Sequence, residues 1–173
     1  MRRSSFIYLA ALAPFAACKR YRRPNPDATV EEPAELASRV SMSDPRDESQ
    51  LLSGFNQIEG NSWRWTGRKF AVSLQPPPGG AVEGAKLELD CAVADAIAGQ
   101  LLPLTVRASV DGQALAPQRL TAAGRQKVYF PVNKQALAGP AKVVEFEVDK
   151  VAHLGDESRD LGLIVVSIGF VEP

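Results

Sequence analysis

The chain has 173 residues, 45% of them hydrophobic and 23% charged, with a formal net charge of zero. This balance is ordinary for a globular protein and gives no basis for binding nucleic acid or an acidic substrate. With only two cysteines, Cys18 and Cys91, a disulfide scaffold is excluded as well.

Arg2 and Arg3 form a short positive region, and Phe6 to Ala17 is an apolar run broken only by Pro14. A membrane-spanning helix needs about 20 apolar residues, whereas the apolar region of a signal peptide spans about 7–15. The run therefore reads as a signal peptide over residues 1–17. Its end, Phe15-Ala16-Ala17-Cys18, resembles the lipobox of bacterial lipoproteins, with Phe15 in the slot an aliphatic residue usually fills. The resemblance implies diacylation of the Cys18 thiol, cleavage after Ala17 and acylation of the new amino group. Two or three acyl chains anchor stably where one is marginal. An ordinary signal peptide is the alternative, and Arg2-Arg3-Ser4-Ser5-Phe6 is also partly similar to a twin-arginine signal. Cleavage removes two of the 20 basic residues and none of the 20 acidic ones, leaving a net charge of about −2. By analogy with lipoprotein sorting, Lys19 in place of Asp favours the outer over the inner membrane, with the domain facing the periplasm. Lys19, Arg20, Arg22 and Arg23 either meet anionic head groups, at about 1 kcal/mol each, or stay solvated.

Residues 24–50 carry Pro24, Pro26, Pro33 and Pro45 among many charged and polar side chains. Such a segment buries too little surface to offset its ordering entropy. Residues 18–50 are therefore expected to be a lipidated, largely disordered tether, and 51–173 one domain.

From Leu51 onward the hydrophobic period becomes two. Phe70, Val72 and Leu74 alternate with polar residues, as do Leu87, Leu89 and Cys91, then Leu104, Val106, Ala108 and Val110. Val128, Phe130 and Val132, and then Val144, Phe146 and Val148, repeat the pattern. Each run has one apolar and one polar face, as a half-buried strand requires. Asp111-Gly112 predicts a hairpin turn, and Pro76-Pro77-Pro78-Gly79-Gly80 a loop. Leu161–Val171 is apolar on both faces and belongs in the middle of a sheet. Only Asn133 to Leu137 suggests a helical turn. The fold class is all-β: an antiparallel two-sheet sandwich, jelly-roll or carbohydrate-binding-module-like, preceded by the signal peptide and tether. Cys91, set in an alternating run with no His or basic neighbour, reads as a small core residue.

Two motifs stand out. One is Gly54-Phe55, then Glu59, then Arg64-Trp65-Thr66; the other is Asp156 through Arg159-Asp160-Leu161-Gly162-Leu163 before the last apolar strand. Together they resemble uncharacterised β-sandwich domains appended to bacterial membrane glycosyltransferases and related envelope enzymes. The resemblance covers residues 51–173 and implies a jelly-roll-like sandwich of carbohydrate-binding type.

No catalytic constellation is visible. His153 is the single histidine, so no His-based metal cluster can form, and no Ser/His/Asp motif frame is visible; His153 reads as a solvated turn residue. The tracts Asp44-Asp47-Glu48 and Asp156-Glu157-Asp160 lack the ligand spacing of a calcium loop. No cofactor and no metal are expected. Trp63 and Trp65, at alternate positions of a strand, would share a face, and indole rings stack well on sugar rings. Arg64 and Glu59 would then orient hydroxyls. Alternatively one Trp anchors the core and Arg64 pairs with a carboxylate such as Glu59 or Asp160, while Arg159 and Asp160 form a structural ion pair in the last turn. The expected function is a non-catalytic, lipid-anchored envelope module that binds glycan or assists glycan-handling proteins. Its partners are the membrane, through Cys18, and either a glycan or an envelope protein, without nucleic acid. A protein-docking lipoprotein is the second reading, marked by buried Trp residues and an uncovered edge strand; a small hydrolase, marked by two carboxylates converging in a cleft, is the third.

Overall fold

The computed structural model describes residues 36–155 and 158–173. The expected signal peptide, Cys18 and most of the expected tether lie outside the described residues. In chain order the elements are β1 (Arg39–Ser41), a 3-10 turn (Pro45–Gln50), β2 (Leu51–Glu59), β3 (Trp63–Leu74), α1 (Gly80–Glu83), β4 (Ala85–Val93), α2 (Asp95–Leu101), β5 (Leu104–Val110), β6 (Gln113–Ala114), β7 (Gln118–Leu120), β8 (Gly124–Val132), β9 (Lys142–Val148) and β10 (Ile164–Val171).

All strand pairings are antiparallel, and they run β6-β5-β9-β3-β10-β4-β8. The long strand β3 is where this path folds over. Ala71 pairs with Ser53 of β2 on one edge and Glu145 of β9 on the other, while Arg64 pairs with Ile58 of β2 and Val165 of β10. β9 and β10 therefore share the edge of β3 that faces away from β2, at successive places along it. The ladder forks there into two layers, β2-β3-β9-β5 and β10-β4-β8. The expected antiparallel sandwich is the fold observed.

Between the layers lies the apolar core. Phe70 of β3 stacks on Phe146 of β9 with centroids 4.9 Å apart, and Phe130 of β8 meets Phe146 from the opposite layer at 6.0 Å. Leu87, Leu89, Ile97, Leu104, Val106 and Ile168 fill the remaining space without solvent exposure. Each buried side chain of this size contributes about 1.5–3 kcal/mol. Cys91 belongs to this core; its thiol is fully buried and pushed up to about 12, first by burial and then by the neighbouring Asp90. The expected hairpin is a two-residue turn in which Asp111 and Gly112 both have positive φ, 47° and 77°, the geometry that matches strand twist.

Three expectations are corrected. The boundary at Leu51 is too late, since Glu35–Pro173 forms one compact unit. β1 pairs with β10, Val40 and Met42 are buried, and the Gln50 side chain bonds Ala37 N, Ala37 O and Ser73 O at 2.9, 3.1 and 2.6 Å. A strand of three residues, interrupted by a Pro-initiated turn, is too short to register as an apolar period. Helices α1 and α2 were also not expected; α2 is held by Ile97 and Leu101, an i,i+4 pair facing the core. Leu161 lies outside the last strand and forms an isolated bridge with Ala152.

Candidate functional site

The two sequence motifs meet in space at the fork. Between Ser53–Ala71 and Phe55–Thr66, β2 advances two residues and β3 five, so Gly67, Arg68 and Lys69 bulge out. The bulge switches which residues of β3 face inward, from Trp65 to Phe70. Gly54 packs against it with φ of 79°, and a Cβ there would overlap Lys69 O. From the other side, Gly162 N donates to Thr66 O at 2.7 Å, and Leu163 N donates to the buried Thr66 Oγ1 at 3.1 Å. Gly54, Thr66 and Gly162 are thus the close contacts of a joint between layers.

This joint decides the tryptophans. Trp63 and Trp65 do share a face, with rings edge-to-face at 6.0 Å, but that face is turned toward the core. Trp65 is 7% exposed and Trp63 half-buried, so they form no exposed stacking platform. Arg64 donates to Asn56 O at 3.2 Å and to Glu48 at 3.3 Å, and Glu59 instead pairs with Arg159 at 3.5 Å. The ion pair expected between Arg159 and Asp160 is redistributed: Asp160 stands 3.7 Å from the exposed His153. His153, Arg159 and Asp160 all lie in the connection between β9 and β10, where Arg159 reaches the end of β2 and Asp160 reaches back to His153.

A different surface carries the shape of a site. On the outer face of β2-β3-β9-β5-β6 lies an open trough of about 370 Å³. Its floor is one cross-strand row, Ser53, Ala71, Glu145, Ser109 and Ala114, in which four of the five side chains are small. One wall is the next row, Lys69, Glu147 and Arg107. Lys69 Nζ lies 3.7 Å from Glu147, and Ser109 Oγ donates to Glu145 at 3.2 Å. Two carboxylates face two cations, so the trough offers donors and acceptors with no net charge. β9, which carries both glutamates, is paired on both edges and holds them on a rigid support. Alternation marks these residues only as the solvent side of strands; charged residues in a strand with neighbours on both sides are the available signal.

The outer face of the other layer is a structural network. Glu88, 3% exposed, takes Arg39 at 2.6 Å and Lys127 at 3.2 Å, and Arg125 makes a two-pronged contact with Asp90 at 2.8 and 2.7 Å. Burial acts to raise the Glu88 carboxyl, but hydrogen bonds from Arg39, Tyr129 and Lys127 outweigh it and hold it below the usual range. Gly169 makes room for this: a Cβ there would meet Arg39 Cβ at 2.6 Å.

Among the described residues, no three His, Cys, Asp or Glu side chains gather as metal ligands, and no helix is long and apolar enough to cross a membrane. Asp44 pairs with Arg46, Asp47 accepts Ser41 N and Glu48 pairs with Arg64. Asp156 and Glu157 of the second acidic tract lie outside the described residues.

No protein-family model matches the chain, and no curated protein matches its sequence. Among solved structures it is similar to an acetyl xylan esterase, Est2A, from the rumen bacterium Butyrivibrio proteoclasticus. The identity is 12% and the TM-score 0.46, over 80% of this chain and 34% of that one. It is also similar to the CBM51-2 and INT domains of Clostridium perfringens ZmpB in complex with GlcNAc, at 14% identity and a TM-score of 0.37 over 79% of this chain and 28% of that one. A third is an exo-beta-1,3-galactanase from Phanerochaete chrysosporium, at 14% and 0.39 over 80% and 29%. The chain spans about a third or less of each of these proteins.

Proposed function

We propose that this protein is a non-catalytic glycan-binding module of the bacterial cell envelope, held to the membrane by lipid on Cys18, with the trough as its binding surface. The outer membrane, on its periplasmic side, is the favoured location from the residues around Cys18. The supporting observation is the trough itself. A row of small side chains makes a channel across five strands, and Lys69, Arg107, Glu145, Glu147 and Ser109 border it with donors and acceptors whose charges cancel. Such a lining suits a neutral, hydroxyl-rich chain better than a polyanion.

A glycan array probed with the purified full chain tests this reading. Binding that falls about tenfold in Glu145→Ala and in Arg107→Ala, each losing a charged hydrogen bond, and persists in Trp63→Ala supports it. Binding lost in Trp63→Ala but unchanged in the trough variants returns the site to the tryptophans.

A second reading has its own observation. β2 lies at the border of its layer, and Leu52 and Ile58 on it are 48% and 38% exposed, as a protein-docking edge would be. A folded chain that binds no glycan, and recovers a membrane protein only while Leu52 and Ile58 are intact, favours it.

A further inference from the structure

Ser53 lines the trough and also a smaller hollow of about 220 Å³ beside it, so the two meet at that residue. The smaller hollow has a different character. Leu51 and Phe55, both packed on the core, give it an apolar wall, and Arg64, with its side chain 14% exposed, gives it a polar one. Arg64 uses Nη1 on Asn56 O and Nη2 on Glu48. Its Nε and the Asn56 side-chain nitrogen are, among the described residues, the buried side-chain polar atoms with no hydrogen-bond partner. Buried donors without acceptors are rare in folded proteins, and of these two residues Arg64 is the one that lines the hollow, so its Nε marks a place where an acceptor belongs.

An apolar wall beside an arginine with an unanswered donor fits a small group with a carbonyl oxygen at one end and a methyl at the other. We infer that this hollow receives the acyl-amide substituent of a sugar ring whose hydroxyls lie in the trough, making N-acetylated glycans the ligand class. The inference rests on the trough being the glycan surface. A bare hydroxyl would leave the apolar wall without a contact, and a carboxylate would be repelled by Glu48. An amide carbonyl answers Arg64 without adding charge. Because Nε is buried, engagement requires Arg64 to turn toward the hollow and away from Glu48, whose side chain is 66% exposed and is hydrated when released.

The test is calorimetric titration of the purified full chain with chitotriose and with cellotriose. The two share ring stereochemistry and linkage and differ at C2, where one has an acetamido group and the other a hydroxyl. Chitotriose is expected to bind about tenfold or more tightly than cellotriose, the worth of a hydrogen bond to a charged group. Arg64→Met is expected to remove that preference. Arg64→Lys, which keeps the positive charge but lacks Nε, is expected to do the same and replaces Arg64→Met if that variant does not fold. Equal binding of both sugars, with both lost in Glu145→Ala, keeps the trough and overturns the acyl-amide hollow. Binding of neither sugar by the folded chain overturns both readings.

Discussion

Gly162 N donates to Thr66 O at 2.7 Å, and a Cβ on Gly162 would stand 2.7 Å from Gly67 O and 3.0 Å from Thr66 Oγ1. This contact closes the layer that contains β10 onto the bulge of β3, with no space left for a side chain. Gly162→Ala must therefore push backbone against backbone. Overpacking of this kind costs about 1–3 kcal/mol, and urea unfolding of the variant is expected to show a loss in that range.

Removing residues 1–50, the boundary that composition suggests, cuts away β1 and the 3-10 turn. Val40 and Met42 leave the core, the β10 edge at 167–169 loses its partner, and the Ala37 and Ser73 contacts of Gln50 go with them. The two apolar side chains alone account for about 3–6 kcal/mol, a large part of the 5–15 kcal/mol typical of a domain. The fragment 51–173 is expected to be unfolded or aggregated, while 36–173 gives a cooperative urea transition. Equal midpoints for the two would show that β1 is dispensable.

Glu88, Asp111 and Asp149 all titrate below their ordinary values in the folded chain. In each, burial acts to raise the group and hydrogen bonds outweigh it: from Arg39, Tyr129 and Lys127 to Glu88, from Lys142 and Val143 N to Asp111, and from Thr105 to Asp149. A carboxylate lowered by folding binds fewer protons in the native than in the unfolded state. Its contribution is therefore complete above the unfolded value, 4.5 for Glu88, and is lost as pH falls through the folded value. Stability is expected to be level near neutrality and to fall steadily below about pH 4.5. Glu88→Gln should flatten part of that acid limb, and an unchanged slope would remove Glu88 from it.

Cys91 is fully buried, with its thiol pushed up to about 12 by burial. A thiol-specific reagent at pH 8 should leave it unmodified in the native chain and label it after denaturant is added. Rapid labelling in native buffer would mean that the β4 region opens readily.

Much of the sandwich was legible in the amino-acid sequence because strand alternation is a local property. The strands around Leu89, Val106, Phe130 and Phe146, and the Asp111-Gly112 turn, lie where the pattern places them. The Trp pair illustrates the limit. Alternation puts Trp63 and Trp65 on one face but does not say which, and the bulge at Gly67–Lys69 that sets their direction depends on contacts with Gly54 and Gly162, far apart in sequence. The trough was hidden for a related reason: Lys69, Arg107 and Glu147 become neighbours only through the β3-β9-β5 register, a long-range pairing. β1 was masked by its own shortness and by the polar, Pro-rich composition around it.

The most direct test of the trough as the ligand surface is an amide chemical-shift map of the isotopically labelled full chain titrated with neutral envelope oligosaccharides. The largest shifts are expected at Ser53, Ala71, Arg107, Ser109, Glu145 and Glu147, with Tyr129 and Lys127 on the opposite face unmoved. Shifts confined to the turn beside Trp63, shifts on the Tyr129 face, or none at saturating sugar would contradict it.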